Sequence, residues 1–205
     1  MPESAAEVYA RAHKAVDDDG RLPTPTVTGW DVFPWEVDDG VIAPKRLAEP
    51  TEEQPREGEP GGAPCWACAG IPTDRIVWED DDWVLTHHEE ASGMPMVLTL
   101  WSREHMDAGD FDDDQASTFG RICNRLVRII QGLDGIGRVH VNRWGDGSSH
   151  FHVWFVARPV GFAQIRGSYA VEWDEILPAV DADVWRADLH TVATKLANWG
   201  GTARA

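Results

Sequence analysis

The stretch Gly145-Asp146-Gly147-Ser148-Ser149-His150-Phe151-His152-Val153-Trp154-Phe155-Val156 joins a glycine-rich turn to a run of alternating character. Successive residues of a strand face opposite sides, so His150, His152 and Trp154 share one face while Phe151, Val153 and Phe155 share the other. An apolar face packed on a core stiffens the backbone and thereby holds the two imidazoles at a defined spacing. The strand is therefore expected to present a site. Its preceding turn can aim backbone N–H and hydroxyl groups at phosphate oxygens, with Gly147, Ser148 and Ser149 as the contacts.

Working outward, Val139-His140-Val141-Asn142 reads as a neighbouring strand, whose Asn142 and following Arg143 can supply polar contacts. Upstream, Asp112-Asp113-Asp114 opens a long helix in which Phe119, Ile122, Leu126, Ile129 and Leu133 keep helical spacing, with acids at its positive end. Gly135-Ile136-Gly137 is expected to end it. Strands are predicted at Arg75–Trp78, at Trp83–Thr86 and from about Met96 to Trp101, and a last helix from about Ala182 to Trp199 with Trp185, Leu189, Val192 and Leu196 on one face.

Residues 3–17 have helix-forming composition and read as a peripheral lead-in, closed by Asp17-Asp18-Asp19-Gly20 and Leu22-Pro23-Thr24-Pro25. Trp30, Val32, Trp35, Val37 and Val41-Ile42 suggest a hairpin turned by Asp38-Asp39-Gly40 and packed on the main domain. Residues 48–64, rich in proline, glutamate and glycine, read as a solvated connector. The expected organisation is thus an N-terminal extension over 1–64, a core domain over 65–160 and a C-terminal helical segment over 161–205 that packs on the core.

A chain of 205 residues, 42% of them hydrophobic and 11 of them Trp, can build a full core. The net charge of -17 opposes binding to a nucleic-acid backbone or an anionic membrane, so neither is an expected partner. A small phosphorylated ligand held in a local pocket stays compatible with that field. Three cysteines make no disulfide framework, the first residues carry no basic-then-apolar leader pattern and no long apolar run is present; the expected location is cytoplasmic.

Cys65-Trp66-Ala67-Cys68 is a C-x-x-C pair, a metal half-site or a redox pair. The surrounding Gly70, Pro72 and proline-rich upstream loop do not provide the strand-to-helix setting of a thioredoxin-like motif, which favours metal. A closed zinc site needs two further ligands, for which His105 and His150 compete with His87, His88 and His140. Cys123 lies beside Ile122 on the long helix and reads as a small buried residue. Pro64-Cys65-Trp66-Ala67-Cys68 with His87-His88-Glu89 also contains both halves of the nucleobase-deaminase zinc signature, but in reversed order. His152 is the candidate nucleophile or general base, since an imidazole can attack phosphorus and then leave.

Together these residues resemble the histidine triad (HIT) superfamily, and more its galactose-phosphate uridylyltransferase branch than the small triad hydrolases. The resemblance runs from Cys65 to about Pro159 and is carried by Cys65-Trp66-Ala67-Cys68-Ala69-Gly70, the Met96–Trp101 strand leading to His105, the long helix, Asn142 and His150-Phe151-His152. It implies an α+β fold, a HIT-like antiparallel sheet of about five strands with one long helix and a C-terminal helix. It also implies structural zinc (Zn2+) on Cys65, Cys68, His105 and His150, with His152 as the nucleophile that forms a nucleotidyl-histidine by attacking an α-phosphate. Asn142, Gly147, Ser148, Ser149 and Trp154 would then line the substrate site.

Two features differ from the family pattern. The third triad position, histidine in the hydrolases and glutamine in the transferases, is Trp154, which offers one N–H and no proton relay. The loop from Asn142 to His150 is short, so the family's phosphate-contacting serine falls nearest Gly147, with Ser148 displaced by one. The uridylyltransferases also carry two such domains where this chain has room for one, so a complete site would draw on a second subunit or on the C-terminal segment, where Gln164, Arg166 and Ser168 are candidates to reach a ligand although the stretch reads first as a solvated loop. The expected activity is nucleotidyl transfer or hydrolysis of a nucleotide phosphoanhydride or phosphodiester. The expected partner is a small nucleotide or nucleotide-sugar, and a homodimer fits the resemblance. The alternative is a zinc-stabilised nucleotide-binding or scaffold protein that has lost turnover.

Overall fold

A computed structural model describes residues 3–24 and 32–205 of the chain. Six antiparallel strands form the main sheet: β3 (Ile76–Glu79), β4 (Trp83–His87), β5 (Met96–Ser102), β6 (Ile136–Asn142), β7 (His152–Pro159) and β8 (Thr202–Ala203), in the order β6-β7-β5-β4-β3-β8. A separate hairpin pairs β1 (Trp35–Asp38) with β2 (Val41–Pro44), and Trp30 lies outside the described residues. The helices are α1 (Ala5–Lys14), α2 (Trp66–Gly70), α3 (Asp113–Gln131), α4 (Tyr169–Ile176) and α5 (Ala182–Ala197). No helix among the described residues is long and apolar enough to cross a membrane.

Alternation decides the sheet's two faces. Phe151, Val153, Phe155 and Ala157 are buried together with Met96, Leu98 and Leu100 from β5, and Leu98 pairs with Phe155 and Leu100 with Val153 across the strands. This face packs on Ile122, Leu126, Ile129 and Ile130 of α3 and on Trp185, Leu189, Val192 and Leu196 of α5, forming one continuous core. Helix α3 starts where its chemistry predicts. The Asp112 carboxylate accepts from the Gln115 N–H while the Gln115 side chain accepts from the Asp112 N–H, which satisfies two donors at the helix start. Its end comes at Gly132, earlier than the Gly135-Ile136-Gly137 expectation, because Ile136 and Gly137 are drawn into β6.

On the opposite face, Val97 and Val156 pack beneath Met94, Ile165, Ala170 and Leu177, a second apolar cluster that α4 closes. Helix α1 joins this side rather than standing apart as a lead-in. Val8 is buried, and the Arg11 guanidinium pairs with Glu3 and donates to the Pro178 and Gly93 carbonyls. The hairpin likewise differs from expectation, since its strands are almost wholly exposed and contribute nothing to either apolar cluster.

The sixth strand comes from the last residues. Ala203 pairs with Trp78 and Thr202 with Glu79, Trp78 Nε1 donates to the Gly200 carbonyl at 2.9 Å, and the Glu79 carboxylate takes both Arg103 and Arg204. Too short to announce itself by alternation, β8 forms because the turn after α5 delivers it to an open edge. Gly201 has φ +74°, and a Cβ there would strike the Trp78 ring and lie 2.6 Å from the Glu79 carbonyl oxygen. Gly201→Ala is accordingly expected to lower unfolding free energy by roughly 1–3 kcal/mol, read by urea denaturation followed through circular dichroism.

Candidate metal centre and histidine site

Three segments distant in sequence converge at one end of the sheet. Cys65 caps the short helix α2, whose turn brings the Cys68 N–H to 3.4 Å from Cys65 Sγ and sets both sulfurs on one side. His105 follows the end of β5, and His150 lies two residues before β7 begins. The ligand atoms of Cys65, Cys68, His105 and His150 all lie within 4.8 Å of one another. His150 Nδ1 is 3.3 Å from Cys65 Sγ and 3.5 Å from Cys68 Sγ, and His105 Nδ1 is 3.3 Å from Cys68 Sγ. A tetrahedral ion with bonds of about 2.0–2.3 Å separates its ligand atoms by roughly 3.3–3.8 Å, so this donor set fits one.

Surrounding hydrogen bonds prepare both imidazoles as ligands. His150 Nε2 lies 2.8 Å from the Ser102 carbonyl oxygen, which only accepts, so Nε2 carries the proton and Nδ1 turns a lone pair toward the sulfurs. Burial also pushes the His150 imidazole down from its ordinary pKa, in favour of the neutral, ligating form. Ser149 Oγ donates to the Glu57 carbonyl at 3.0 Å and lies 3.3 Å from His105 Nε2, which frees His105 Nδ1 in the same way. Desolvation and the neighbouring Cys65 sulfur hold the Cys68 thiol above its usual range, a tendency that a bound cation reverses.

The other imidazoles stand elsewhere. His87 bonds the Asp74 carbonyl and meets the Trp185 edge, His88 packs on Trp154, and His140 lies on β6 with Nε2 buried and unpartnered among the described residues. The deaminase arrangement is absent here, since His87-His88-Glu89 leaves the end of β4 rather than opening a helix.

His152 is half-buried on the face opposite the main core. Its Nδ1 sits 2.9 Å from the His150 carbonyl oxygen, so Nδ1 holds the proton and Nε2 keeps the lone pair. The ring stacks on Trp101, its partner across β5, at 4.9 Å, and Trp101 is itself pinned by a 3.0 Å hydrogen bond from Nε1 to Thr86 Oγ1. Trp154 stands edge-on to His152 at 6.4 Å and lies between His88 at 5.3 Å and Trp144 at 6.5 Å. Asn142 faces Trp154 across the β6–β7 ladder, and its buried Nδ2 has no partner among the described residues.

The glycine-rich turn divides between two tasks. Ser149 belongs to the metal surroundings, its N–H given to the Glu57 carbonyl and its hydroxyl placed as described above. Ser148 Oγ accepts from the His150 N–H, and the Gly147 carbonyl accepts from the Glu57 N–H. The N–H groups of Asp146, Gly147 and Ser148 have no acceptor within the chain among the described residues. Gln164, Arg166 and Ser168 are exposed, and Arg166 bonds its own loop at the Ala163 carbonyl.

No family model matches the sequence, and no curated protein matches it. In structure the chain is similar to a histidine triad protein from Bradyrhizobium japonicum, at 17% identity and a TM-score of 0.49 over 59% of this chain and 89% of that one. It is similar too to a zinc-bound histidine triad family protein from Mycobacterium smegmatis, at 15% identity and a TM-score of 0.43 over 64% and 89%. A uridylyltransferase aligns at 12% identity and a TM-score of 0.41 over 63% of this chain and 43% of its own length. The likeness is to histidine triad folds.

Residues 56–59, expected to be solvated, build the wall behind the cysteines and His105. Glu57 and Ser148 form a parallel bridge, Glu57 Oε1 accepts the Trp66 N–H at 2.7 Å, and Arg56 donates to Asp107 and to the Gly145 carbonyl. Gly58, at φ +87°, lets the chain pass so close that a Cβ would lie 2.6 Å from His105 Cε1 and 2.8 Å from Ser149 Oγ. The composition of the segment hides this role, because the partners of Arg56 and Glu57 are distant in sequence and Gly58 acts through a missing side chain.

Gly58→Ala and Ser149→Ala are each expected to weaken zinc affinity by roughly 10–100-fold, measured by competition with a chromophoric chelator. A second expectation concerns the thiols. Burial pushes Cys123 up to about 12, so at pH 8 it remains protonated. In the metal-free native protein a maleimide or disulfide reagent should label Cys65 and Cys68 but not Cys123, and added zinc should protect both.

Proposed function

We propose that this chain is a HIT-superfamily nucleotidyl transferase or nucleotide hydrolase whose nucleophile is His152. The observation that carries this reading is the orientation of His152, whose Nδ1–H is held by the His150 carbonyl so that Nε2 keeps its lone pair for attack. Cys65, Cys68, His105 and His150 would hold structural zinc, which when bound cross-links the start of β7 to the cysteine turn and contributes no Lewis acid to the reaction.

In the first step, His152 Nε2 attacks the α-phosphorus of a bound nucleotide. A P–N bond forms as the bridging P–O bond breaks, and the electron pair leaves with the departing oxygen. The free amides of Asp146, Gly147 and Ser148 stabilise the charge gathering on the non-bridging oxygens. Asn142 Nδ2, a buried donor with no partner among the described residues, supplies a hydrogen bond to ribose or phosphate. In the second step a water or an acceptor oxygen attacks the same phosphorus, and the electron pair of the P–N bond returns to Nε2.

Trp154 favours a second reading, in which the fold binds a nucleotide without turning it over. Its indole can donate a hydrogen bond but cannot carry a proton to a leaving group. Intact-mass spectrometry at neutral pH, after mixing zinc-loaded protein with nucleoside diphosphate sugars and dinucleoside polyphosphates, separates the two. Catalysis predicts a nucleotidyl mass increment on the wild type that His152→Asn abolishes, with turnover reduced by roughly 10³-fold or more. Ligand binding with no increment and no turnover, and with affinity unchanged in His152→Asn, would establish the second reading instead.

A further inference from the structure

Helix α3 turns Ile122, Leu126 and Ile129 into the core, and on its outer side the same spacing lines up Arg121, Arg125 and Arg128 over about 10 Å of helix. None of these three arginines makes an ion pair among the described residues. Arg121 donates to Ser117 Oγ at 2.6 Å, and the Arg125 guanidinium lies over the Trp199 ring at 5.5 Å. Like charges three and four residues apart repel on a helix surface, and only Arg128 lies in the last turn, where the helix dipole favours a cation. In a chain of net charge -17, such an unpaired cationic stripe is complementary to an anion that the chain itself does not supply.

The surroundings of the stripe describe that anion. It borders a hollow of about 440 Å³ whose lining includes Gly120, Asn124 and Trp199. Trp199 is 55% exposed yet firmly placed, since its N–H donates to the Leu196 carbonyl at 3.0 Å and the next carbonyl, of Gly200, accepts from Trp78 Nε1 at 2.9 Å. Glycine inside a helix costs stability relative to alanine, and a Cβ on Gly120 would meet nothing within 4 Å. No contact within the chain therefore requires this glycine, but its bare backbone keeps the hollow open. Arginine forks grip phosphate oxygens with paired hydrogen bonds, and a fixed, exposed indole offers a flat surface to an aromatic ring. The hollow has the size of a small ligand. A longer acidic chain leaving it would meet Asp112-Asp113-Asp114 before the stripe or Asp134 after it.

We propose that the outer face of α3 together with Trp199 is a second ligand site, which takes a nucleoside polyphosphate with its phosphates along Arg121, Arg125 and Arg128 and its base against the exposed side of Trp199. The site is separate from His152, which lies on the face of the sheet opposite the core that α3 covers. It binds without reacting, since no nucleophile or metal ligand lines the hollow.

Heteronuclear NMR of the full chain with zinc bound, titrated with ATP at about 50 mM salt, reads the two sites separately through the Trp199 indole N–H and the amides of residues 146–148. The Trp199 signal should shift with a dissociation constant on the order of 100 μM, and raising salt to about 300 mM should weaken binding roughly tenfold. Arg121→Gln with Arg125→Gln should weaken it at least about tenfold, read from the same signal. Inorganic tripolyphosphate should bind the same face, and Trp199→Ala should cost ATP roughly tenfold, read from the Gly120 and Asn124 amides, while sparing tripolyphosphate. Gly120→Glu places an anion in the open space and should abolish both interactions with circular dichroism unchanged. No shift at Trp199 up to about 5 mM ATP, or a shift that survives the arginine substitutions, would overturn the proposal. Shifts confined to residues 146–148 would overturn it while leaving the His152 site standing. A hexaglutamate peptide that binds this face more tightly than ATP would overturn it in favour of an acidic peptide.

Discussion

One hydrogen bond, from His150 Nε2–H to the Ser102 carbonyl, is the constraint on which the site rests. It joins the end of β5 to the start of β7 at the point where both leave the sheet. By fixing the proton on Nε2 it turns Nδ1 toward the two sulfurs, and by holding the backbone of residue 150 it presents the carbonyl that accepts from His152 Nδ1. The same residue therefore sets the tautomer of both imidazoles. Its side chain faces the metal centre and its main chain faces His152, so the candidate metal site and the candidate nucleophile form one mechanical unit.

The sheet keeps its two faces chemically separate. On the main core face, β5 and β7 pack with α3 and α5 into one apolar cluster. The opposite face is covered only in part, where α4 and α1 bury Val97 and Val156, and it stays accessible near His152, Trp101 and Asn142. Trp154 sits on the border between these regions, packed against the second apolar cluster and edge-on to His152. That position explains how an indole is accommodated on this face. It fills the margin of an apolar cluster and still borders the open region.

The acidic character of the chain is handled locally. Around the metal centre, Asp107 takes both Arg56 and Arg143, and together with the Ala108 N–H these hold its carboxylate below its ordinary pKa although burial works the other way. The Arg56 guanidinium also reaches the Gly145 carbonyl, so an ion cluster at the rim fastens the 56–59 wall to the glycine-rich turn. A net charge of -17 over the whole chain thus coexists with a turn whose Asp146, Gly147 and Ser148 amides have no acceptor among the described residues.

Much of this architecture is legible in one dimension, because local spacing is itself a physical cause. Period-two alternation around His152 placed the apolar face of β7, helical spacing placed Ile122, Leu126 and Ile129 of α3, and the Asp-Gly turn placed the hairpin. The C-x-x-C pair and the two histidines were readable as metal ligands in kind, but His105 and His150 could be separated from His87, His88 and His140 only by resemblance. What the tertiary structure alone decided are the contacts made by backbone and by absent atoms: the Ser102 carbonyl, the Glu57 bridge, the space left at Gly58 and the late strand β8. Those features carry no side-chain pattern along the chain. They arise when distant segments meet and each unpaired N–H, carbonyl or sheet edge finds its complement, which no local sequence signal records.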